Sequence, residues 1–346
     1  MNTRPFGRLG WQVSDVGYGM WGLAGWTGRD DEQTRESLQL AADLGCNFFD
    51  SALAYGEGHS ERMLGELVRN NPAKTLYTAS KIPPKNRIWP SRRGFKLDDV
   101  FPADYIRKST EISLKFLGLP CVDLMQFHVW EDEWANDDRW QNAVAKMKSD
   151  GLVRAIGVSI NRWEPANALR TLRTGLIDAV QVIYNIFDQN PADELFPLCQ
   201  ELGVAVIARV PFDEGTLTGT LTKDSTWPDG DWRNTYFVKE NLISSVERAD
   251  RLKPLVPAGL SMAEMALRFC LSHHREYDHP GDAEASECSG KPRRKRIGAS
   301  AEVFARRIEV ASLGAHADEV VAVIYGFAGG SFTGLSVNCH SRPLML

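Results

Sequence analysis

No run of eighteen apolar residues occurs in the 346-residue chain, and no apolar segment follows the charge at the N-terminus, Met1-Asn2-Thr3-Arg4-Pro5. Neither a membrane span nor a secretory signal is expected, and the address is read as cytoplasmic. GxGxxG and GxxxxGKS/T stretches are missing as well, so any nucleotide has to be bound by other means. Cysteine is sparse and scattered: Cys46, Cys121, Cys199, Cys270, Cys288 and Cys339 have no CxxC spacing. That distribution fits reduced thiols and argues against a disulfide frame or a metal site. With a formal net charge of −5, the chain gives no reason to expect nucleic acid as a partner.

What is present is ordinary material for a globular protein, 43% hydrophobic and 25% charged. Residues 4 to 16 read as a hairpin turning at Arg8-Leu9-Gly10-Trp11. A unit then repeats. Apolar strands are predicted at 46–49, 76–79, 122–127, 153–158, 179–183 and 204–208, with helical patterns near 32–44, 60–69, 102–117, 137–149, 164–173 and 192–202. Doubly buried strands separated by single helices imply an α/β fold with a parallel sheet, and seven or eight such units in about 270 residues match a (β/α)8 TIM barrel better than an open doubly wound sheet. Two long loops, 83–101 and 211–238, read as lids or binding loops.

A barrel collects its chemistry at the carboxyl ends of the strands. The polar residues just past each apolar run are Asp50, Lys81, His128, Ser159 with Asn161, Gln181 and Arg209. Tyr55 stands five residues beyond Asp50 in a glycine-punctuated turn. A phenol is a useful acid only if its proton becomes easier to lose; a lysine ammonium beside Tyr55 would do this, and Asp50 would hold that ammonium charged. His128 could hydrogen-bond a carbonyl oxygen or share in a proton relay. A polarised carbonyl needs a reductant, and hydride from a nicotinamide is the economical candidate, since no side chain can donate one. Trp21, Trp26, Trp89 and Trp130 suggest an aromatic-lined pocket.

Residues 4 to 272 resemble the aldo-keto reductases, in particular the bacterial branch related to aryl-alcohol dehydrogenases. The matching text is Phe49-Asp50-Ser51-Ala52, Tyr55-Gly56-Glu57-Gly58 with Ser60-Glu61, Ser80-Lys81, Phe127-His128, Gly157-Val158-Ser159 and Val180-Gln181. The resemblance implies a barrel that binds NADP(H) without a Rossmann fold, a small carbonyl substrate, and a tetrad of Asp50, Tyr55, Lys81 and His128 with Tyr55 as the acid. It also implies cofactor contacts from Ser159 and Gln181 at the nicotinamide carboxamide; Asn161, Arg209 and Gly215 are placed with them. Two departures stand out. Ser159-Ile160 replaces the family's Ser-Asn, and Arg209 stands where many members carry an aromatic that stacks on the nicotinamide. The alternative is a catalytically silent barrel that binds nucleotide or a partner protein, in the manner of the ion-channel β-subunits that resemble this family.

The likeness fades after His273. The chain is accordingly divided into a barrel, 1–273, and a divergent, poorly ordered tail, 274–346, with the basic run Lys291 to Arg296. Codon degeneracy permits the next reading frame over residues 276 to 296 to spell SMTIPGMRKRRNVVENLAASE, which looks like the missing family ending. A frameshift near residues 273 to 275 is the expectation. A seven-stranded remainder would leave strand edges unpaired, and the apolar run 320–325 could rebuild an eighth strand.

Overall fold

The computed structural model describes residues 1–23 and 30–272, together with the backbone of Val323–Tyr325. Its centre is a curled sheet of seven parallel strands: β3 (Tyr18–Gly19), β4 (Phe48–Asp50), β5 (Tyr77–Ile82), β6 (Val122–Phe127), β7 (Val153–Ser159), β8 (Ala179–Ile183) and β9 (Ala205–Arg209), paired in that order. Before them, β1 (Thr3–Pro5) and β2 (Gln12–Ser14) pair antiparallel in the expected hairpin, Arg4 facing Val13. The helices are α1 (Asp31–Asp43), α2 (His59–Asn70), α3 (Leu97–Val100), α4 (Ala103–Leu117), α5 (Asp138–Ser149), α6 (Leu169–Leu172), α7 (Leu195–Leu202), α8 (Arg233–Tyr236), α9 (Lys239–Leu252) and α10 (Met262–Ser272).

Side chains alternate across a strand, and the two faces of this sheet pack into different cores. The outward set, including Phe49, Met125, Phe127, Ile156, Val158, Val180, Val206 and Ala208, joins the helices in the larger core. The inward set changes character along each strand. Near the amino ends it is apolar: Phe48, Tyr77, Ala79, Leu124, Ala155, Ala179, Ala205 and Ile207 form one cluster with Phe6, Trp11 and Val13 of the hairpin. Trp11 stacks on Tyr77 at 5.1 Å between ring centroids, and Phe6 lies 5.5 Å from Phe48, so the hairpin plugs this end of the curl. Two residues further along, the same inward rows read Asp50, Lys81, Gln126, Gln181 and Arg209, and in β7 they read Gly157 and then Ser159. The polar mouth therefore follows from the pleat: the inward positions stay inward while their chemistry switches at the carboxyl ends.

Several expectations need correction. The helix expected over 164–173 contracts to α6, because side chains hold the preceding segment in turns. Ahead of α6, Asn167 donates to Glu131 Oε2 at 2.9 Å, and at its first turn the Asp132 carboxylate accepts from the backbone N–H groups of Arg170 and Thr171, which fixes where the helix begins. The strand β3, two residues long, and the helix α9 were not anticipated. The run expected to supply an eighth strand does join the sheet, but as β10 (Val323–Tyr325), antiparallel to β9 with Val323 opposite Ala208. Antiparallel pairing needs no crossover helix, so a returning segment can take an open edge this way. Among the described residues no pairing joins β10 to β3, so the described strands leave the sheet curled and open. Apart from β10, the tail lies outside the described residues.

Among the described residues no helix is long and apolar enough to cross a membrane, and no cluster of metal-ligating side chains occurs. Cys46, Cys121, Cys199 and Cys270 are free thiols, and Cys288 and Cys339 lie outside the described residues.

Candidate active site

Asp50 is the last residue of β4, and the chain leaves it through a turn in which Gly56, Glu57 and Gly58 all have positive φ. Such a run is cheap for glycine and uncommon for other residues. At Gly58 the need is also steric, since a Cβ there would lie 2.2 Å from the Phe116 ring. The turn returns Tyr55 over the strand ends. Beneath it, Ser51 and Ser60 share a 2.7 Å hydrogen bond and the Ser80 hydroxyl donates to Glu61 at 2.5 Å, tying the start of α2 to β4 and β5.

Lys81, 1% exposed, is the hub. Its ammonium donates to Asp50 Oδ2 at 2.7 Å, to the Ser51 carbonyl at 2.8 Å and to the Tyr55 hydroxyl at 3.5 Å. Three donors meet three acceptors, and the longest bond is the one to the partly open phenol. Long catalytic hydrogen bonds are usual before substrate binds. Asp50 is satisfied from the far side: Gln126 Nε2 donates to Oδ1 at 3.0 Å and Gln181 Nε2 to Oδ2 at 2.9 Å. Room for Gln126 is made by Gly157, where a Cβ would stand 2.9 Å from Gln126 Cγ. His128 meets Tyr55 edge to face at 5.7 Å, and Trp89, 44% exposed, meets the other side of His128 at 5.8 Å.

The electrostatics correct one expectation. Burial pushes the Tyr55 phenol above its ordinary pKa, and Lys81 pulls it down without overcoming the burial. For Lys81 itself, burial disfavours the charge, but Asp50 and Tyr55 outweigh it and hold the ammonium above its ordinary value. Burial, with Lys81 and Arg209 adding to it, holds His128 well below the usual imidazole range, so the ring is neutral at physiological pH. A neutral ring can bind a carbonyl oxygen but is a poor relay for a proton at that pH.

The structure brings Asp50, Tyr55, Lys81, His128 and Gln181 into one connected cluster. Ser159 is buried at the end of β7, in register with Gln181. Asn161 donates from Nδ2 to Glu131 Oε1 at 3.1 Å, while its Oδ1 is buried with no partner among the described residues. Arg209 ends β9 and donates from Nη2 to the Ile160 carbonyl at 3.3 Å. Gly215, φ 99°, follows a loop in which Val210, Asp213 and Glu214 also have positive φ. A β-branched residue there is a true outlier, and backbone strain of this kind gathers at binding loops. Of the tryptophans, Trp130 is a core residue packed on Trp134 and Trp140, Trp21 lies edge to face with Trp232, and Trp26 falls outside the described residues.

Two contributors were not foreseen. Gln126 sat unnoticed inside an apolar run, although an amide two residues before His128 shares its inward row. Arg162 pairs with Asp213 at 3.3 Å and Glu214 at 3.4 Å, pinning the strained loop from across the mouth; nothing in the sequence linked those positions.

Comparison with known proteins identifies the family to which this fold belongs. The chain is 27% identical over 275 residues to the NADH-specific methylglyoxal reductase of Escherichia coli, covering 74% of this chain and 81% of that one. It is 29% identical over 265 residues to the aldo-keto reductase yakc [NADP(+)] of Schizosaccharomyces pombe, covering 72% and 76%. Among solved structures, a glycerol dehydrogenase from Gluconobacter oxydans superposes with a TM-score of 0.63 at 28% identity, over 79% of this chain and 83% of that one. The sequence model of the Aldo/keto reductase family matches residues 15–313, running past His273, where the likeness was expected to fade. The chain belongs to the aldo/keto reductase family.

Proposed function

We propose that the chain is a cytoplasmic NADP(H)-dependent reductase of aldehydes or ketones in which Tyr55 is the acid. The observation that carries this reading is the Asp50–Lys81–Tyr55 chain of contacts at 2.7 and 3.5 Å. When bound, the reduced nicotinamide supplies the hydride, so that carbonyl compound, NADPH and one proton give alcohol and NADP⁺. The proton comes from the Tyr55 hydroxyl, and Lys81 stabilises the phenolate left behind. A phenol above its ordinary pKa is still competent here, because an alkoxide developing on the substrate is far more basic than a phenolate. Neutral His128 binds the same oxygen and orients the carbonyl, and Asp50 keeps Lys81 charged.

The residues fit a nicotinamide. Asn161 Oδ1, His128 Nδ1, Gln126 Oε1 and Arg209 Nε are buried polar atoms at or near the mouth with no partner among the described residues. Such atoms are costly unless a ligand or water satisfies them. Ser159, Gln181 and Asn161 would hold the carboxamide, and Arg209 and the Gly215 loop would border the rest. The choice of NADP(H) leans on the family and on the yeast relative's name; the Escherichia coli relative is NADH-specific, so both cofactors belong in the test.

Titration of NADPH and NADH against intrinsic tryptophan fluorescence, followed by an aldehyde and ketone panel, tests the reading. Tyr55→Phe should lower turnover by about 10²–10⁴-fold, the usual worth of a positioned acid. Cofactor binding with no Tyr55-dependent turnover would favour the silent barrel. Although the family model runs on to residue 313, we read residues 274–346 as a frameshifted replacement of the family ending. The gene decides this: if no single-base insertion or two-base deletion near codons 273 to 275 restores that ending, the frameshift is wrong.

A further inference from the structure

The strands around the mouth end in groups that are neutral or paired, with one exception. Asp50 and Lys81 cancel each other, Gln126, Ser159 and Gln181 carry no charge, and His128 is neutral. Arg209 is a guanidinium that stays charged. Among the described residues its one hydrogen bond goes to the Ile160 carbonyl, and its Nε is buried without a partner. Glu214 is the strongest attractive charge on it, but that carboxylate hydrogen-bonds Arg162 instead, and no carboxylate among the described residues forms an ion pair with Arg209. The charge of Arg209 acts on Tyr55 and His128, the groups that hold the reacting carbonyl, and on Asp50 behind them.

We propose that Arg209 makes the site discriminate between the redox states of its cofactor, holding the reduced nicotinamide more tightly than the oxidised one. The inference rests on the function proposed above and deepens it. A hydride can reach a carbonyl held at Tyr55 only from a ring in contact with that carbonyl, so the ring lies inside the field of Arg209. The reduced ring is neutral and the oxidised ring carries a positive charge. Transfer therefore creates a cation beside an arginine that has no ion-pair partner. The cost falls on the oxidised cofactor, which is bound more weakly than the reduced one and inhibits less as a product.

The experiment is a fluorescence titration of NADPH and NADP⁺ on the full chain, on Arg209→Gln and on Arg209→Lys, at one ionic strength. The unmodified chain should bind NADPH more tightly than NADP⁺. In Arg209→Gln the ratio of the two dissociation constants should shrink on the order of tenfold, the size of a charge–charge term through a partly screened site. Arg209→Lys keeps the charge and should keep the ratio. Equal affinities in the unmodified chain overturn the inference without any variant, as does a ratio unmoved by Arg209→Gln or lowered equally by Arg209→Lys. Tyr55-dependent turnover with such a ratio would sink this inference alone; failure to bind either cofactor would sink the proposed function with it.

Discussion

The two ends of the barrel interior are built from the same inward-facing rows, yet they are opposites. At the amino ends, Phe6, Trp11, Phe48 and Tyr77 fill the space with rings, and the cluster is wholly apolar. At the carboxyl ends, two residues further along, buried polar atoms stand with partners missing. Closed packing stabilises a fold, whereas unsatisfied polar atoms cost stability and are kept where a ligand will meet them. The difference separates the part of this interior that maintains the fold from the part to which we assign the chemistry.

The contrast can be broken from either end. At the mouth, Lys81→Met should nearly abolish turnover and also destabilise the chain, because removing one partner of a buried ion pair costs about 3–5 kcal/mol. Gln126 and Gln181 remain on Asp50 and should keep the loss near the lower bound. At the plug, Trp11→Ala should cost a similar 3–5 kcal/mol of stability, since the indole is sandwiched between Tyr77 and the Arg154 guanidinium. Its kcat, measured well below the melting temperature, should match that of the unmodified chain. Urea unfolding paired with steady-state kinetics reads both variants. A plug variant that lost turnover while folded would show that the two ends are not separable.

A finer test sits between them. Gly157 occupies the inward row below Ser159, and Gly157→Ala would push its methyl group against Gln126. We expect about 1–3 kcal/mol of destabilisation from overpacking. Because Gln126 is what the new methyl displaces, its hydrogen bond to Asp50 should weaken and turnover should fall as well. A loss of stability with kinetics unchanged would remove Gln126 from the account of the site.

How much of this was legible in the sequence follows from what each signal depends on. Asp50, Lys81 and His128 stand at the ends of apolar runs, where a change of polarity is visible, and Tyr55 stands in a turn that its glycines announce. Gln126 lies within the run and reads as an interruption of β6, since one-dimensional polarity does not reveal which row of a strand faces inward. Arg162 and the Asp213-Glu214 pair are about fifty positions apart, and only the fold sets them within an ion-pair distance. The predicted helix at 164–173 is shortened for a related reason: its helical pattern is real, but Glu131, from the loop after β6, holds Asn167 ahead of α6 and Asp132 sets the helix start by accepting from Thr171 N–H. The balance of burial against Lys81 at Tyr55 was likewise out of reach, because desolvation is a property of the surroundings.

The smallest expected effect is a pH dependence from the mouth alone. Burial, then Lys81 and Arg209, depress the folded-state pKa of His128 well below the ordinary imidazole value. The unfolded chain takes up this proton near pH 6.5 while the folded chain refuses it, so the unfolded state binds more protons between the two values. Stability contributed by this site is therefore complete above the unfolded value and falls as the pH drops below it. Urea unfolding at pH 7 and pH 5 should show the unmodified chain losing more stability on acidification than His128→Gln, which has no proton to gain. No comparable difference is expected for variants in the plug, where every residue of the cluster is apolar or aromatic. Equal acid sensitivity in the two His128 forms would mean that the imidazole is protonated in the folded chain, and a cation at that position would turn His128 from a neutral carbonyl ligand into a competitor of Tyr55 for the role of acid.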